Sequence, residues 1–372
     1  MQITITAKIQ IKPTKEQIDL LNETVSAYKQ GSNHVSGVVF ESKNLNQVSL
    51  HKLTYEILRT RYDLRSQMAQ SVMKTVIAKY KTNKSNGHNW SLVMFKKPEY
   101  DLVWNRDYSL FKGLFSLNTL QGRVKVPCET KGMESYFDGD WSFGTAKLVN
   151  KHGKWFLHIP MTKEVEVTSD RDIKQVVGID LGINFVATTY DSQGHTNFFD
   201  GRLIKHKRVK YKYLRKQLQM KQTPSSRKRL KALGSRENRW MADVNHTISK
   251  ALVNRYGSRT LFVVEDLTGI RNATEKVKVN DRYISVSWSF LQFRQMLAYK
   301  ALMNGAKVVA VNPKYTSQTC PKCGHTEKAN RNKKKHIFCC KTCTYTSNDD
   351  RIGAMNLQRK GIEYIVEVAE GA

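Results

Sequence analysis

Nothing in these 372 residues suits a lipid bilayer. No apolar stretch approaches the roughly 20 residues that a membrane span needs. The first segment, MQITITAKIQIKP, alternates polar and apolar residues and lacks a signal-peptide core, so a cytosolic protein is expected. Internal repeats and low-complexity tracts are also missing. Cysteine is scarce: four of the six fall in two C-x-x-C pairs and Cys128 stands alone. That pattern favours metal binding in a reducing compartment over a disulfide framework. Acidic residues are the scarcest relative to need. Only 32 Asp and Glu face 62 Lys and Arg, a formal net charge of +30. Self-repulsion on that scale calls for a polyanion, and the cations run the whole length of the chain instead of gathering beside an apolar anchor. Nucleic acid is the expected partner.

The length suggests two to four structural units. Ile3, Ile5, Ala7, Ile9 and Ile11 alternate as in a half-buried strand. Thr14 and Gln17 form a capping-box pattern that opens a helix with Ile18, Leu21, Val25 and Tyr28 on one face and Gly31 at its end. A second helix carries Leu50, Leu53 and Ile57, and a third Leu64, Met68, Val72, Val76 and Tyr80. Gln67, Gln70, Lys74 and Lys81 lie off that last stripe, where a solvated face competes with contact to nucleic acid. From about Leu102 to Val167 strand patterns take over, with a hairpin turn at Asn150–Gly153. This reads as a small β-barrel completed by the first strand, with the helices inserted between strands one and two.

Three further strands follow, Val176–Leu181, Asn184–Tyr190 and His195–Phe199. After them comes a basic helical segment broken near Thr223-Pro224. Its second half carries Val244, Ile248 and Leu252 and stops at Gly257. Leu261–Val264 is a continuous apolar run, as in a strand covered on both faces. A helix from Phe290 to Asn304 and a strand at Val308–Val311 complete the order of an RNase H-like core.

Three acids stand where two-metal phosphoryl transfer would need them, on separate elements with room for a phosphate. Asp180 sits inside Gly178-Ile-Asp-Leu-Gly182, Glu265 directly follows the apolar strand, and Asp350 starts a helix. Two rivals stand beside them. Asp266 would point away from the site if its strand continues, and Asp349 could instead cap the helix. Cys320, Cys323, Cys340 and Cys343 form C-x2-C-x16-C-x2-C, the spacing of a structural zinc ribbon, with Cys339 beside the site. The hairpin between the pairs carries Lys333, Lys334 and Lys335 and is expected to face a phosphate backbone. So is the run containing Lys207, Arg208, Lys210, Lys212 and Arg215, followed by Arg227, Lys228 and Arg229. His246 reads as a packing histidine. No segment resembles a DNA-reading helix-turn-helix, so charge accounts for affinity and not for target choice.

Taken in order, these residues resemble the TnpB family, transposon-encoded RNA-guided DNA endonucleases related to compact type V CRISPR effectors. The match runs through Gly178–Asn184, Asn245-His246, Val264–Leu267, Trp288-Ser-Phe290, Tyr299-Lys-Ala301 and Pro313–Gln318 into Cys320. The resemblance implies a multidomain α+β chain: a wedge β-barrel (1–12 and 100–170), a helical recognition domain (13–99), a RuvC-like nuclease (171–314 and 347–372) and a zinc ribbon (315–346). It implies two catalytic Mg2+ ions at Asp180, Glu265 and Asp350 and one structural Zn2+. It also implies a guide RNA from the transposon end that reads double-stranded target DNA by base pairing. The family pattern after the third acid is x-Asn-Ala-Ala; here it is Arg351-Ile-Gly-Ala354, and Ile352 cannot supply an amide. A non-cleaving RNA-guided repressor and a strand-joining transposase are the competing readings.

Overall fold

The computed structural model describes residues 1–97, 99–267, 290–333 and 335–370. The chain divides into two units, Gln2–Glu164 and Val165–Ala372, the latter with Met1.

In the first unit, β1 (Gln2–Ile11) buries Ile3, Ala7, Ile9 and Ile11 on one face, as its alternation predicts. Three helices follow: α1 (Lys15–Ser42), α2 (Gln47–Thr60) and α3 (Ser66–Ser85). Seven short strands complete the unit: β2 (Glu99–Leu102), β3 (Tyr108–Phe111), β4 (Leu114–Thr119), β5 (Gly122–Glu129), β6 (Ser142–Phe143), β7 (Ala146–Lys151) and β8 (Lys154–Glu164). The sheet order is β2-β7-β8-β1-β5-β4-β3, with β6 on β8, a near-closed barrel. β1 pairs with β8 from Gln2↔Glu164 to Ile11↔Trp155 and so lies inside the sheet. The three helices are therefore an insertion between the first strand and the rest.

Both halves of the capping box form: Gln17 N donates to Thr14 Oγ1 at 3.3 Å, and Thr14 N donates to Gln17 Oε1 at 3.1 Å. Gly31 does not end the helix, which continues to Ser42. A Cβ at Gly31 would lie 2.9 Å from Leu58 Cδ2 and from Leu64 Cδ1, so this glycine admits neighbouring side chains instead of breaking the helix. The face of α2 is also shifted. Leu50, Thr54 and Leu58 are buried, whereas Leu53 and Ile57 are exposed. The hairpin turn is tighter than predicted: Lys151 pairs with Lys154, and His152 and Gly153 turn the chain at φ 54° and 78°.

The second unit begins with β9 (Gln175–Asp180), β10 (Phe185–Tyr190) and β11 (Thr196–Asp200). Next come α4 (Arg202–Lys221) and α5 (Pro224–Tyr256). Thr223 caps α5, with Pro224 in its first turn, where proline's missing N–H costs nothing. Then come β12 (Thr260–Glu265), α6 (Phe290–Met303) and β13 (Lys307–Val311). The sheet order is β11-β10-β9-β12-β13. β9 and β11 run antiparallel to β10, while β12 runs parallel to β9 and β13. This is the arrangement expected of an RNase H-like core.

The last helix, α7 (Asp349–Glu370), packs on one face of that sheet and α5 with α6 on the other. Phe262 and Val264 of β12 face α5 and α6, and Leu261 and Val263 face α7, so both faces of this strand are covered. Glycine makes the approach of α7 possible. A Cβ at Gly178 would lie 2.0 Å from the Ala354 carbonyl, and one at Gly361 would lie 2.3 Å from Val263 Cγ2. Between β13 and α7 lie β14 (Arg331–Asn332), β15 (Ile337–Cys339) and β16 (Thr346–Asn348), a small sheet ordered β14-β15-β16. Among the described residues no helix is long and apolar enough to cross a membrane.

Candidate nuclease and zinc centres

Parallel register sets the first contact of the candidate active site. Val264 pairs with Ile179, so the next residues, Glu265 and Asp180, end neighbouring strands side by side. α7 brings the third acid. Asn348 caps that helix: its Oδ1 accepts from Asp350 N at 3.0 Å and Arg351 N at 3.1 Å. The cap is thus Asn348, not Asp349. One turn into α7, Gly353 lies against Asp180; a Cβ there would come within 2.9 Å of the Asp180 carboxyl carbon. Gly353 is the cradle that lets the carboxylate lie against the helix.

The electrostatics follow from this convergence. Burial first, then the charges of Glu265 and Asp350, push the Asp180 carboxyl well above the usual carboxylate range. Burial also raises Glu265, opposed by Thr316, whose hydroxyl donates to Oε1 at 2.6 Å. Asp350 is raised by burial and then by Asp349. Buried carboxyls whose proton affinity is raised in this way fit a divalent cation, which would supply positive charge beside them. The neighbouring acids each meet an arginine. Asp266, just past the end of β12, pairs with Arg294 at 2.8 Å on the surface. Asp349 is fully buried, with Arg331 Nε 2.8 Å from its Oδ2.

Sequence reasoning missed three residues here. Arg331 reaches Asp349 and stands 3.8 Å from Asp350 Oδ1, drawing the Asp180, Glu265 and Asp350 carboxyls down against the other influences. Thr316 holds Glu265. His336 Nε2 lies 2.6 Å from the Asn184 amide nitrogen, and its Nδ1 lies 3.4 Å from Asp349 Oδ1. Among the described residues neither that Nδ1 nor that Oδ1 has a hydrogen-bond partner. Among the described residues two groups place their metal-ligating atoms all within 4.8 Å: the four cysteines, and His336 with Asp349 and Asp350. Asp180 and Glu265 belong to neither group.

The cysteines are built as two matching knuckles. Cys320 N donates to His325 O and Cys340 N to Tyr345 O, each at 2.9 Å. Gly324 N returns to Cys320 O, and Thr344 N to Cys340 O, at 2.9 and 3.0 Å, with Gly324 and Thr344 both at positive φ. Cys320 and Cys343 place their Sγ atoms 3.6 Å apart, and Cys323 and Cys340 3.5 Å apart. A tetrahedral zinc with Zn–S bonds of about 2.3 Å requires S···S edges of about 3.8 Å, so the four thiols fit the ion. The amide of Cys343 draws the Cys340 thiol down to about 6, against the effect of burial. Cys339 stays outside the group and pairs with Thr346 across the small sheet. Ile352, where the family pattern has an amide, is buried against Cys320, Phe338 and Cys340. It supports the ribbon instead of the acids.

The basic residues divide. Lys207, Lys210, Arg227, Lys228, Arg229, Lys333 and Lys335 are exposed, as is Lys74, while Lys212, Gln67 and Gln70 are partly exposed. Arg208 is buried at 1% exposure, so it is not a surface cation. Arg215 is half-buried and bonds Glu237 at 2.6 Å, tying α4 to α5. Lys207 stands 4.4 Å over the Trp240 ring. His246 is exposed and not packed. Lys334, Trp288 and Ser289 lie outside the described residues.

Comparison with known proteins agrees with this layout. Residues 158–274 match the OrfB_IS605 family model, described as "Probable transposase", and residues 290–357 match the Cas12f1-like TNB domain. The chain is 28% identical over 246 residues to a CRISPR-associated endodeoxyribonuclease Cas12f1 of Syntrophomonas palmitatica, covering 61% of this chain and 48% of that protein. It is 28% identical over 243 residues to the TnpB-like protein MJ0751 of Methanocaldococcus jannaschii, covering 62% and 83%. It spans about half the length of the Cas12f1 relatives it matches, 48% and 57% for two of them. A solved Cas12f1–sgRNA–target DNA complex shares the fold at a TM-score of 0.61 and 13% identity, over 96% of this chain and 99% of that one. Two family models in chain order, with relatives of both names, make the chain a relative of the TnpB-like proteins and of the type V effectors.

Proposed function

We propose that the chain is an RNA-guided DNA endonuclease encoded by an insertion sequence, cutting target phosphodiesters at Asp180, Glu265 and Asp350 with two Mg2+ ions. The observation that carries this reading is the convergence of three carboxyls from β9, β12 and α7, each with its proton affinity raised by burial or by the others. When bound, the ions would lower the pKa of an attacking water and neutralise charge on the leaving oxygen. The protein's part is positional. Thr316 fixes the rotamer of Glu265, Gly353 leaves space for Asp180, and Asn348 anchors the turn that presents Asp350. Arg331 adds positive charge beside the acids, where charge develops on a phosphate in transfer.

The ribbon would hold one structural Zn2+ on Cys320, Cys323, Cys340 and Cys343. The barrel would act as the wedge domain, α1–α3 as the recognition domain, and the second unit as the RuvC nuclease. The Cas12f1 of the solved complex binds an sgRNA and target DNA. A guide RNA from the transposon end would likewise give this chain the target choice that its charge cannot supply. The description "Probable transposase" favours a second reading, strand joining with the same acids.

One experiment separates them. The protein is purified with its co-expressed RNA and offered a matched duplex with Mg2+, alongside Asp180→Ala. The expected outcome is hydrolysis by the wild type only, with binding undiminished in the variant. Strand-transfer products would establish the transposase. Equal cutting by both proteins would remove Asp180 from the mechanism, and equally selective cutting without RNA would remove the guide.

A further inference from the structure

Between the segment Lys314–Thr319 and α7 lies an open cleft of about 220 Å³, lined by Lys314, Tyr315, Thr316, Arg359, Lys360 and Glu363 among others. Pockets that enclose a whole small ligand run to roughly 300–1,000 Å³, so this one suits a single segment of a longer molecule. Its chemistry is cationic and aromatic. Lys360 Nζ donates to the carbonyls of Asn312 and Lys314 at 2.6 and 3.3 Å, which uses two of an ammonium's three donors. The Lys314 ammonium lies 5.0 Å from the Tyr315 ring centroid. The one anion, Glu363, stands 3.3 Å from Arg359.

Tyr315 is the unusual residue. It is half exposed, yet its backbone is held at φ +67°, which a bulky side chain rarely adopts. Its neighbours impose that conformation. Gln318 N and Thr319 N both donate to the Tyr315 carbonyl, at 2.9 and 3.1 Å. The buried Asn356 amide clamps the same turn through the carbonyls of Thr316 and Thr319 at 2.7 and 2.8 Å. Backbone strain of this kind persists where the surroundings over-determine it, and it gathers at ligand-binding positions. The very next residue, Thr316, holds Glu265. The cleft therefore opens beside a catalytic carboxylate.

We propose that this cleft holds one nucleotide of the DNA strand adjoining the scissile phosphate, with its base against Tyr315 and its phosphate against Lys360 and Lys314. The inference rests on the nuclease reading and adds a subsite to it. Stacking on an aromatic ring accepts any base, so the subsite grips the strand without choosing sequence.

The test uses the zinc-loaded full chain with its guide and matched targets carrying a single abasic nucleotide, stepped outward from the cut. Tyr315→Asn removes the ring while keeping a residue that tolerates left-handed backbone, and Tyr315→Phe keeps the ring. Zinc content and melting temperature are measured on each. At one position next to the cut, the abasic lesion should lower wild-type kcat/KM about tenfold. Tyr315→Asn should lose a similar factor on intact DNA and nothing further at that one position, while Tyr315→Phe behaves as wild type. Lys360→Gln should reduce the slope of log affinity against log salt by about 0.7. Intact DNA cut by Tyr315→Asn at the wild-type rate, or losses that multiply at every position, would overturn the subsite. A wild type that cuts no target would remove the nuclease reading and the subsite with it.

Discussion

Two clusters of ligand-type residues flank the start of α7, and they are held in opposite ways. The four cysteines lie on short turns with S···S contacts of 3.5–3.6 Å, and backbone amides favour the thiolate at Cys340. The acids come from two strands and a helix, and burial raises the proton affinity of each. A structural site closes around its ion, whereas a catalytic one leaves coordination room for substrate. Loss of a ligand should accordingly unfold one cluster and silence the other.

The largest effect is expected at the acids. Glu265→Gln should lower cleavage on the order of 10³-fold or more, with guide and target binding retained in a filter or anisotropy assay. A comparable loss of binding would place Glu265 in a structural role and erase the contrast. The next effect falls on the ribbon. Cys340→Ser should abolish zinc uptake, withdrawing on the order of 10 kcal/mol of metal binding from a segment too small to hold a core. Zinc stoichiometry and proteolysis confined to residues 320–345 would report it. A ribbon that stays protease-resistant without zinc would show that Phe338 and Ile352 suffice.

Gly353→Ala sharpens the comparison further, because it disturbs the acids without removing one. A methyl 2.9 Å from the Asp180 carboxyl carbon must displace that group. A misplacement of about 1 Å can cost on the order of 10²-fold in rate. Zinc content should be unchanged. Full activity in this variant would mean that the carboxylate has freedom which the close packing denies it.

These positions also divide by what a sequence can reveal. The helix and strand periods, the capping box at Thr14 and the C-x-x-C pairs are local, so their meaning survives without coordinates. Asp180 and Glu265 stand out as candidates because an acid ending an apolar strand is locally anomalous, whereas an acid in the first turn of a helix is ordinary and leaves Asp350 with Asp349 as its rival. Arg331, Thr316 and His336 carry no such mark. Each acts only through approach to residues elsewhere in the chain, 51 positions away for Thr316 and 152 for the His336–Asn184 contact. Local rules also misled where packing overrode them. Gly31 sits inside a helix because Leu58 and Leu64 press on it, and the buried face of α2 is set by Leu50, Thr54 and Leu58. Arg208 and Arg215 belong to a run that reads as open charge, yet one is buried and the other bonds Glu237.

The smallest expected effect concerns stability and its dependence on pH. A carboxyl whose pKa is raised by folding keeps its proton in the native state while the unfolded chain, with an ordinary pKa of about 3.9, has released it. The native state then binds more protons, so stability falls as pH rises through that window and stays low above it. Asp180→Asn removes this penalty. Without divalent metal at neutral pH, the variant should melt a few degrees above the wild type, and the two should converge towards pH 4. Mg2+ should raise the wild type and leave the variant nearly still, because the neutral amide no longer needs a counter-charge. The opposite ordering, with Asp180→Asn less stable in metal-free buffer, would mean that Arg331 already neutralises the acids and that repulsion is not what readies them for a cation.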